Sequence, residues 1–194
     1  MTPTPEQRKV QLRGEMINRR LAVSPSKAEE AAKGLWPSLQ KFPNLAAVKT
    51  VAGFIGARGE IPTEPLLRSL LESGRSLVLP RTQRDPQSMV FCEVPTLAAL
   101  TPGAFGIPEP PATAPIVSEK EIDLVLVPGT AFDPMGGRVG FGKGFYDQSI
   151  PLFRPGVQRI GIGYAFQVVD EVPQVTKDQK VHWILTDEGL WMCA

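Results

Sequence analysis

Cysteine is scarce. Cys92 and Cys193 are the only two in 194 residues, far apart and in no C-x-x-C spacing. That excludes a disulfide framework and a cysteine zinc site, and it points to free thiols in a reducing cytosol, so a cytoplasmic location is expected. Histidine occurs once, as His182, and no Ser-His-Asp or Cys-His constellation can be placed around it. An excess of charge is missing too: 21 Lys and Arg stand against 20 Asp and Glu. Nothing global therefore draws the chain toward nucleic acid or an anionic membrane, and any basic work must be local. The first twenty residues hold several charges and no apolar run, and no run elsewhere is long enough to span a bilayer. A soluble, untargeted protein is expected.

What the chain does have is glycine, concentrated in one place. Residues 122 to 153 read IDLVLVPGTAFDPMGGRVGFGKGFYDQSIPLF. The apolar, β-branched run at 122 to 127, closed by Pro128 and Gly129, predicts a buried strand that delivers a loop. In that loop Gly136, Gly137, Gly140, Gly142 and Gly144 surround Arg138 and Lys143, and a helical pattern with Tyr146, Asp147 and Ile150 follows. Without Cβ atoms such a backbone turns through positive φ and approaches a ligand closely, with free N–H groups turned to an anion.

Two familiar nucleotide motifs fail on this loop. The run from Gly137 through Gly142 to Lys143 fits G-x-x-x-x-G-K, but Gly144 stands where a P-loop needs Ser or Thr for magnesium. Gly140 and Gly142 begin a G-x-G-x-x-G pattern, but Phe145 occupies the third glycine position. A third geometry survives, with Arg138 and Lys143 as phosphate clamps and Asp147 as a magnesium carboxylate. Its alternative is a glycine-rich turn carrying solvated charges.

At this length a single domain over residues 1 to 194 is the expectation. Thr4, Pro5 and Gln7 read as N-cap, first-turn proline and capping-box partner of a helix running to about residue 21. Val10, Ile17 and Leu21 supply its expected apolar stripe, while Lys9, Arg13, Met16 and Arg20 fall on another face. A second helix begins at Ser24 and Pro25 and runs to about residue 40, covering the sheet. Strands are expected at 48 to 55, 77 to 79, 89 to 94, 159 to 164 and 181 to 186, with 166 to 172 between the last two, and a helix from about Thr63 to before Gly74. The proline-rich segment from 96 to 115 reads as a long surface connection of the kind that serves as a lid or binding segment. The alternation predicts a three-layer α/β/α domain with a mostly parallel mixed sheet, whose binding loops gather at the strand carboxyl ends. Glu60 and Arg81 lie at such ends.

The string PGTAFDPMGGRVGFGKGFYD closely resembles the signature of the 5-formyltetrahydrofolate cyclo-ligase (5,10-methenyltetrahydrofolate synthetase) family. So do KVQLR at 9 to 13, GEIPTE at 59 to 64, LPR at 79 to 81, GIPEP at 106 to 110, and the stretch from VPQVTKD through ILTDEG. These blocks follow the family order over nearly the whole chain. The resemblance implies an ATP site of Lys9, Arg13, Arg138, Val139, Gly140, Phe141, Gly142, Lys143, Gly144, Phe145 and Tyr146, with Lys143 and Arg138 catalytic. It implies a folate contact at Glu60, with Ile55 lining the pocket and Phe105 stacking near the pterin. Arg81 is a further candidate for folate or phosphate, or a rim charge. Magnesium is implied at Asp147 and Asp178. His182, where the family commonly has aspartate, and Lys177, which replaces a residue that is often His or Asn, depart from the pattern near that metal site. The implied reaction is closure of 5-formyltetrahydrofolate to 5,10-methenyltetrahydrofolate, with ATP consumed and both substrates small molecules on a monomer. A non-catalytic folate or nucleotide binder and a small-molecule kinase are the alternatives on the same scaffold.

Overall fold

The computed structural model describes residues 3 to 83 and 88 to 194. Helix α1 spans Pro5–Leu21, with Thr4 and Gln7 closing the capping box at its start. Ser24 caps α2, Pro25–Leu39. Strand β1, Thr50–Ala52, leads through a turn to α3, Glu64–Glu72. Strands β2, Ser76–Thr82, and β3, Met89–Glu93, form an antiparallel pair. The proline-rich segment then makes a two-residue ribbon from β4, Thr101–Pro102, and β5, Pro108–Glu109, flanked by 3-10 turns. Strand β6, Ile116–Val117, leads to β7, Leu124–Pro128. A second ribbon of β8, Ala131–Phe132, and β9, Arg138–Val139, precedes α4, Phe145–Ser149. Strands β10, Gln158–Ile162, β11, Trp183–Thr186, and β12, Gly189–Met192, end the chain.

The main sheet has eight strands in the order β12-β11-β10-β7-β1-β2-β3-β6. The five from β11 to β2 are parallel, and β12, β3 and β6 pair antiparallel at the two sides. This is the mostly parallel mixed sheet the pattern predicts. Alternation sorts its residues by face. Val51, Leu77, Leu79, Leu124, Leu126, Ile160 and Ile162 pack in one core with Leu35 and Leu39 of α2 and Leu66, Leu67 and Leu70 of α3. Ala52, Val78, Val125, Val127 and Ile184 face the other way, onto Phe132, Ile150 and Phe153. That second layer is thin, because α4 is five residues long and continues only as a 3-10 turn. Among the described residues no helix is long and apolar enough to cross a membrane.

Four local expectations are corrected. On α1, Val10 and Leu21 are 64% and 63% exposed, while Met16 and Arg20 are 1% exposed. The face with the cations is the buried one. Hydrophobic spacing misjudged it because long cationic side chains bury their stems and find polar partners inside, and Arg20 meets carbonyls there. The stretch 166 to 172 forms no strand; a 3-10 turn at Ala165–Gln167 and one bridge from Phe132 to Val168 take its place. The terminal strand is followed by β12, which the sequence reading does not separate. Finally, the glycine stretch is partly a ribbon, so Arg138 and Val139 are strand residues and not loop residues.

The ribbon's turn is held by one carboxylate. Asp133, 2% exposed, accepts from the amides of Met135 at 2.9 Å, Gly137 at 2.8 Å and Val172 at 2.8 Å. Removing it leaves three amides without their acceptor, two of them buried bonds, each a loss on the order of 1 kcal/mol or more. Asp133→Ala is expected to lower stability by about 3 kcal/mol and the melting temperature by roughly 6–12 °C, read by thermal denaturation. An unchanged melting temperature would show that the turn is held by other contacts.

Candidate active site

The parallel strands β1, β2 and β7 all end at one rim of the sheet, and the connections leaving them enclose a cleft of about 350 Å³. Five segments line it. Lys9 and Arg13 come from α1, and Phe54, Ile55 and Glu60 from the chain after β1. Leu79, Pro80 and Thr82 come from β2, with Met89 beside them on β3. Phe105, Ile107, Pro108 and Glu109 come from the proline-rich segment, and residues 138 to 147 from the glycine stretch; Pro128 and Asp178 complete the wall.

The turn after β1 is built by Thr63, whose Oγ1 donates to Phe54 O at 2.6 Å and accepts from Gly56 N at 3.0 Å. This folds Glu60 inward. Its Oε2 accepts from the Ala57 amide at 3.0 Å, and its Oε1 stands 3.6 Å from an Arg20 nitrogen with no hydrogen-bond partner. Burial pushes the Glu60 carboxyl up to about 7, against the opposing pull of the Ala57 amide, Arg20 and Arg58. The phenol of Tyr146, from α4, is also buried without a partner; burial first and the nearby Glu60 second push it up, while Arg138 lowers it.

In the glycine loop Gly142 and Gly144 take φ of +91° and +74°, a region costly for any residue with a Cβ. At Gly140 a Cβ would sit 2.8 Å from an Arg138 guanidinium nitrogen, which would have to shift to admit it. Gly140 O accepts from Arg13 Nε at 2.7 Å, which ties the loop to α1. Among the described residues the amides of Gly142, Lys143 and Gly144 make no hydrogen bond within the chain. Lys143 is exposed and unpaired among the described residues, with its Nζ 5.9 Å from the Phe105 ring centroid.

The other cations are engaged. Arg138, 6% exposed, donates to Asp147 Oδ1 at 2.6 Å and to Pro128 O at 3.3 Å, and its Nε is buried without a partner. Lys9 forms an ion pair with Asp178. Asp147 Oδ1 also accepts from Gln179 N at 3.2 Å, and Asp178 Oδ2 from Val175 N at 2.7 Å. Each carboxylate therefore keeps its second oxygen free of hydrogen bonds among the described residues. Among the described residues no group of three or more His, Cys, Asp or Glu side chains is assembled for a metal.

Most residues named from the sequence meet in this cleft, Lys9, Arg13, Ile55, Glu60, Phe105, the run from 138 to 147 and Asp178 among them. Arg81 does not. Its guanidinium donates to Pro111 O at 2.7 Å and fastens the proline-rich segment. His182 lies elsewhere, in a second hollow with Arg159, whose NH2 is 2.6 Å from His182 Nε2; burial and then Arg159 lower its pKa. Lys177 is outside the cleft lining.

Sequence reasoning missed Phe54, Thr82, Met89 and Glu109. Thr82 donates from its hydroxyl to Glu109 Oε1 at 2.7 Å and from its amide to Oε2 at 3.2 Å, a contact between segments that no local pattern announces. The only available signal was the position of Glu109 inside GIPEP.

Comparison with known proteins identifies the family. The model of the 5-formyltetrahydrofolate cyclo-ligase family matches residues 5–187. The 5-formyltetrahydrofolate cyclo-ligase of Mycolicibacterium smegmatis is 30% identical over 187 residues, covering 92% of this chain and 93% of that protein. That of Escherichia coli K12 is 26% identical over 176 residues, covering 89% and 97%. The NMR structure of Aquifex aeolicus 5,10-methenyltetrahydrofolate synthetase superposes with a TM-score of 0.83 at 29% identity, over 95% of this chain and 92% of that one. A 5,10-methenyltetrahydrofolate synthetase from Mycoplasma pneumoniae, at 22% identity and a TM-score of 0.75, shares the fold. A match over nearly the full chain, on a sheet whose rim gathers the family's motif residues, shows that this chain is a ligase enzyme belonging to the 5-formyltetrahydrofolate cyclo-ligase family.

Proposed function

We propose that the cleft holds ATP and 5-formyltetrahydrofolate side by side and closes the folate to 5,10-methenyltetrahydrofolate, with ADP and phosphate released. The observation that carries this reading is the glycine loop, with three unspent amides in a cleft that also presents Lys9, Arg13, Arg138 and Lys143. Free N–H groups and cations together suit a triphosphate. The same cleft has an apolar lining of Phe54, Ile55, Leu79, Met89 and Ile107, with the exposed Phe105 beside the glycine loop, and suits a flat ring system.

An N5-formyl group is an amide, so N10 cannot expel its oxygen unaided. In the proposed route the formyl oxygen attacks the γ-phosphorus and the bond to the ADP oxygen breaks. That leaves an N5-iminium carbon bearing a phosphate ester. The N10 lone pair then attacks this carbon, the carbon–oxygen bond breaks, phosphate leaves with the former formyl oxygen, and the N10 proton passes to solvent. No protein nucleophile is needed. The chain's contribution is alignment and neutralisation of charge. Lys143, unpaired and on the loop, is placed to meet the transferring phosphoryl group. A cation about 4 Å from a phosphate oxygen is worth about 4 kcal/mol per unit charge at an effective dielectric of about 20, before desolvation.

Magnesium fits this arrangement as a companion of the nucleotide. Asp147 and Asp178 each retain a free oxygen, and magnesium takes one or two carboxylates with water and phosphate oxygens. When bound it would draw phosphate oxygens together and offset their charge. Glu60 is the folate-side carboxylate of the same cleft, and Arg13 steadies the loop through Gly140 O.

Supplying 5-formyltetrahydrofolate, ATP and magnesium should yield ADP and the methenyl chromophore in equal amounts; ADP without the chromophore would indicate a kinase, and neither product a binding protein. Lys143→Ala should keep the melting temperature, since glycines set the loop's path, and lose at least about 100-fold in turnover; wild-type turnover would remove Lys143 from the mechanism. Asp147→Asn should need more magnesium for half-maximal rate, and an unchanged magnesium titration would take Asp147 out of the metal site.

A further inference from the structure

Arg20 closes the buried face of α1 and is absent from the cleft lining, yet it reaches three segments that build the cleft. One nitrogen donates to Arg58 O at 3.0 Å, in the turn carrying Glu60. The other donates to Gly129 O at 3.4 Å, just past β7, and stands 3.6 Å from Glu60 Oε1. Its guanidinium carbon lies 5.1 Å from the centroid of the Phe141 ring, in the glycine loop, which Arg58 approaches at 5.7 Å. The turn is pressed against the helix end as well. A Cβ on Gly59, whose φ is +75°, would stand 3.1 Å from the Arg20 carbonyl carbon. Burying a guanidinium is costly, and burial lowers the Arg20 pKa, with Glu60 opposing. An apolar residue of similar volume would fill the space without that cost.

We propose that Arg20 is a positioning residue that joins the Glu60 turn to the Phe141 end of the glycine loop, so that the folate-side carboxylate and the nucleotide loop keep one fixed relation. It rests on the reading above for the ligand on each side. The charged and titratable groups facing Glu60 are Arg20 from α1, Arg58 from its own turn and Tyr146 from α4. Taking away the Arg20 charge removes a neighbour that favours the ionised carboxylate. Glu60, already at about 7, must then titrate at higher pH. Arg20→Lys keeps a charge but loses the planar fork that spans two carbonyls and lies over the Phe141 ring.

The test uses the full chain. The Glu60 carboxyl is titrated by carbon-13 NMR without ligand, and ATP affinity is measured by calorimetry. In Arg20→Met the Glu60 midpoint should rise by about one pH unit or more. In Arg20→Lys the midpoint should move by less than half as much, while ATP affinity falls by about tenfold although residue 20 lines no part of the cleft. An unmoved midpoint in folded Arg20→Met, or undiminished ATP affinity in Arg20→Lys, overturns the proposal; if Arg20→Met does not fold, Arg20→Lys decides alone. A parent protein that binds no ATP overturns the function proposed above, and the Glu60 titration then decides this inference by itself.

Discussion

Backbone groups that leave a parallel sheet must find partners before they can be buried, and the side chains that supply them hold the segments of the site in place. Where β1 ends, Thr63 takes Phe54 O and Gly56 N. Where β7 ends, Gly129 O is shared by Arg20 and Gln167, Thr130 O accepts from the same Gln167 amide, and Pro128 O accepts from Arg138. Each of these side chains is buried, and each fixes a segment that touches the cleft. Structural hydrogen bonding and site construction are thus one task, performed by the same residues.

Two cation–carboxylate pairs lie inside the cleft. Lys9 meets Asp178, and Arg138 meets Asp147. Pairing limits the cost of holding four ionic groups at a partly desolvated surface, where unpaired charges are expensive. It also means that a polyanion entering the cleft exchanges partners with these side chains and does not simply add to them. Lys143 differs, since among the described residues neither a carboxylate, as for Lys9 and Arg138, nor a carbonyl, as for Arg13, holds it. The glycine loop delivers one cation with no prior commitment.

The sheet was legible because its strands are short, β-branched and closed by proline or glycine, as at 122 to 129. The capping box of Thr4 and Gln7 and the cap at Ser24 were legible for the same local reason, while the capping boxes at Ser118 and Tyr164 were not read. On α1 the reading inverted: Val10 and Leu21 look like core and face solvent, while Arg20 looks like surface and is sealed off. Whether a guanidinium can be buried depends on carbonyls 38 and 109 residues away in sequence, and spacing along a helix carries no information about them. Arg138 illustrates the same limit, because its partner Asp147 was visible as a neighbour in sequence but the strand that turns the two together was not. The motif string located the glycine loop that lines the cleft; the contact of Thr82 with Glu109 required the fold.

The proline-rich segment is clasped to β2 at two points, by Arg81 to Pro111 O and by Thr82 to Glu109. Its far end carries Phe105, 53% exposed and in a left-handed conformation, followed by Gly106 at φ +74°. The two ends meet at Gly103, whose amide donates to Ile107 O at 3.1 Å and where a Cβ would stand 2.4 Å from Glu109 Cγ. Changes confined to residues 105 and 106 alter the aperture above the glycine stretch while Arg81 and Thr82 keep the segment rooted in the sheet, so variants with wider or narrower entrances need no rebuilding of the interior.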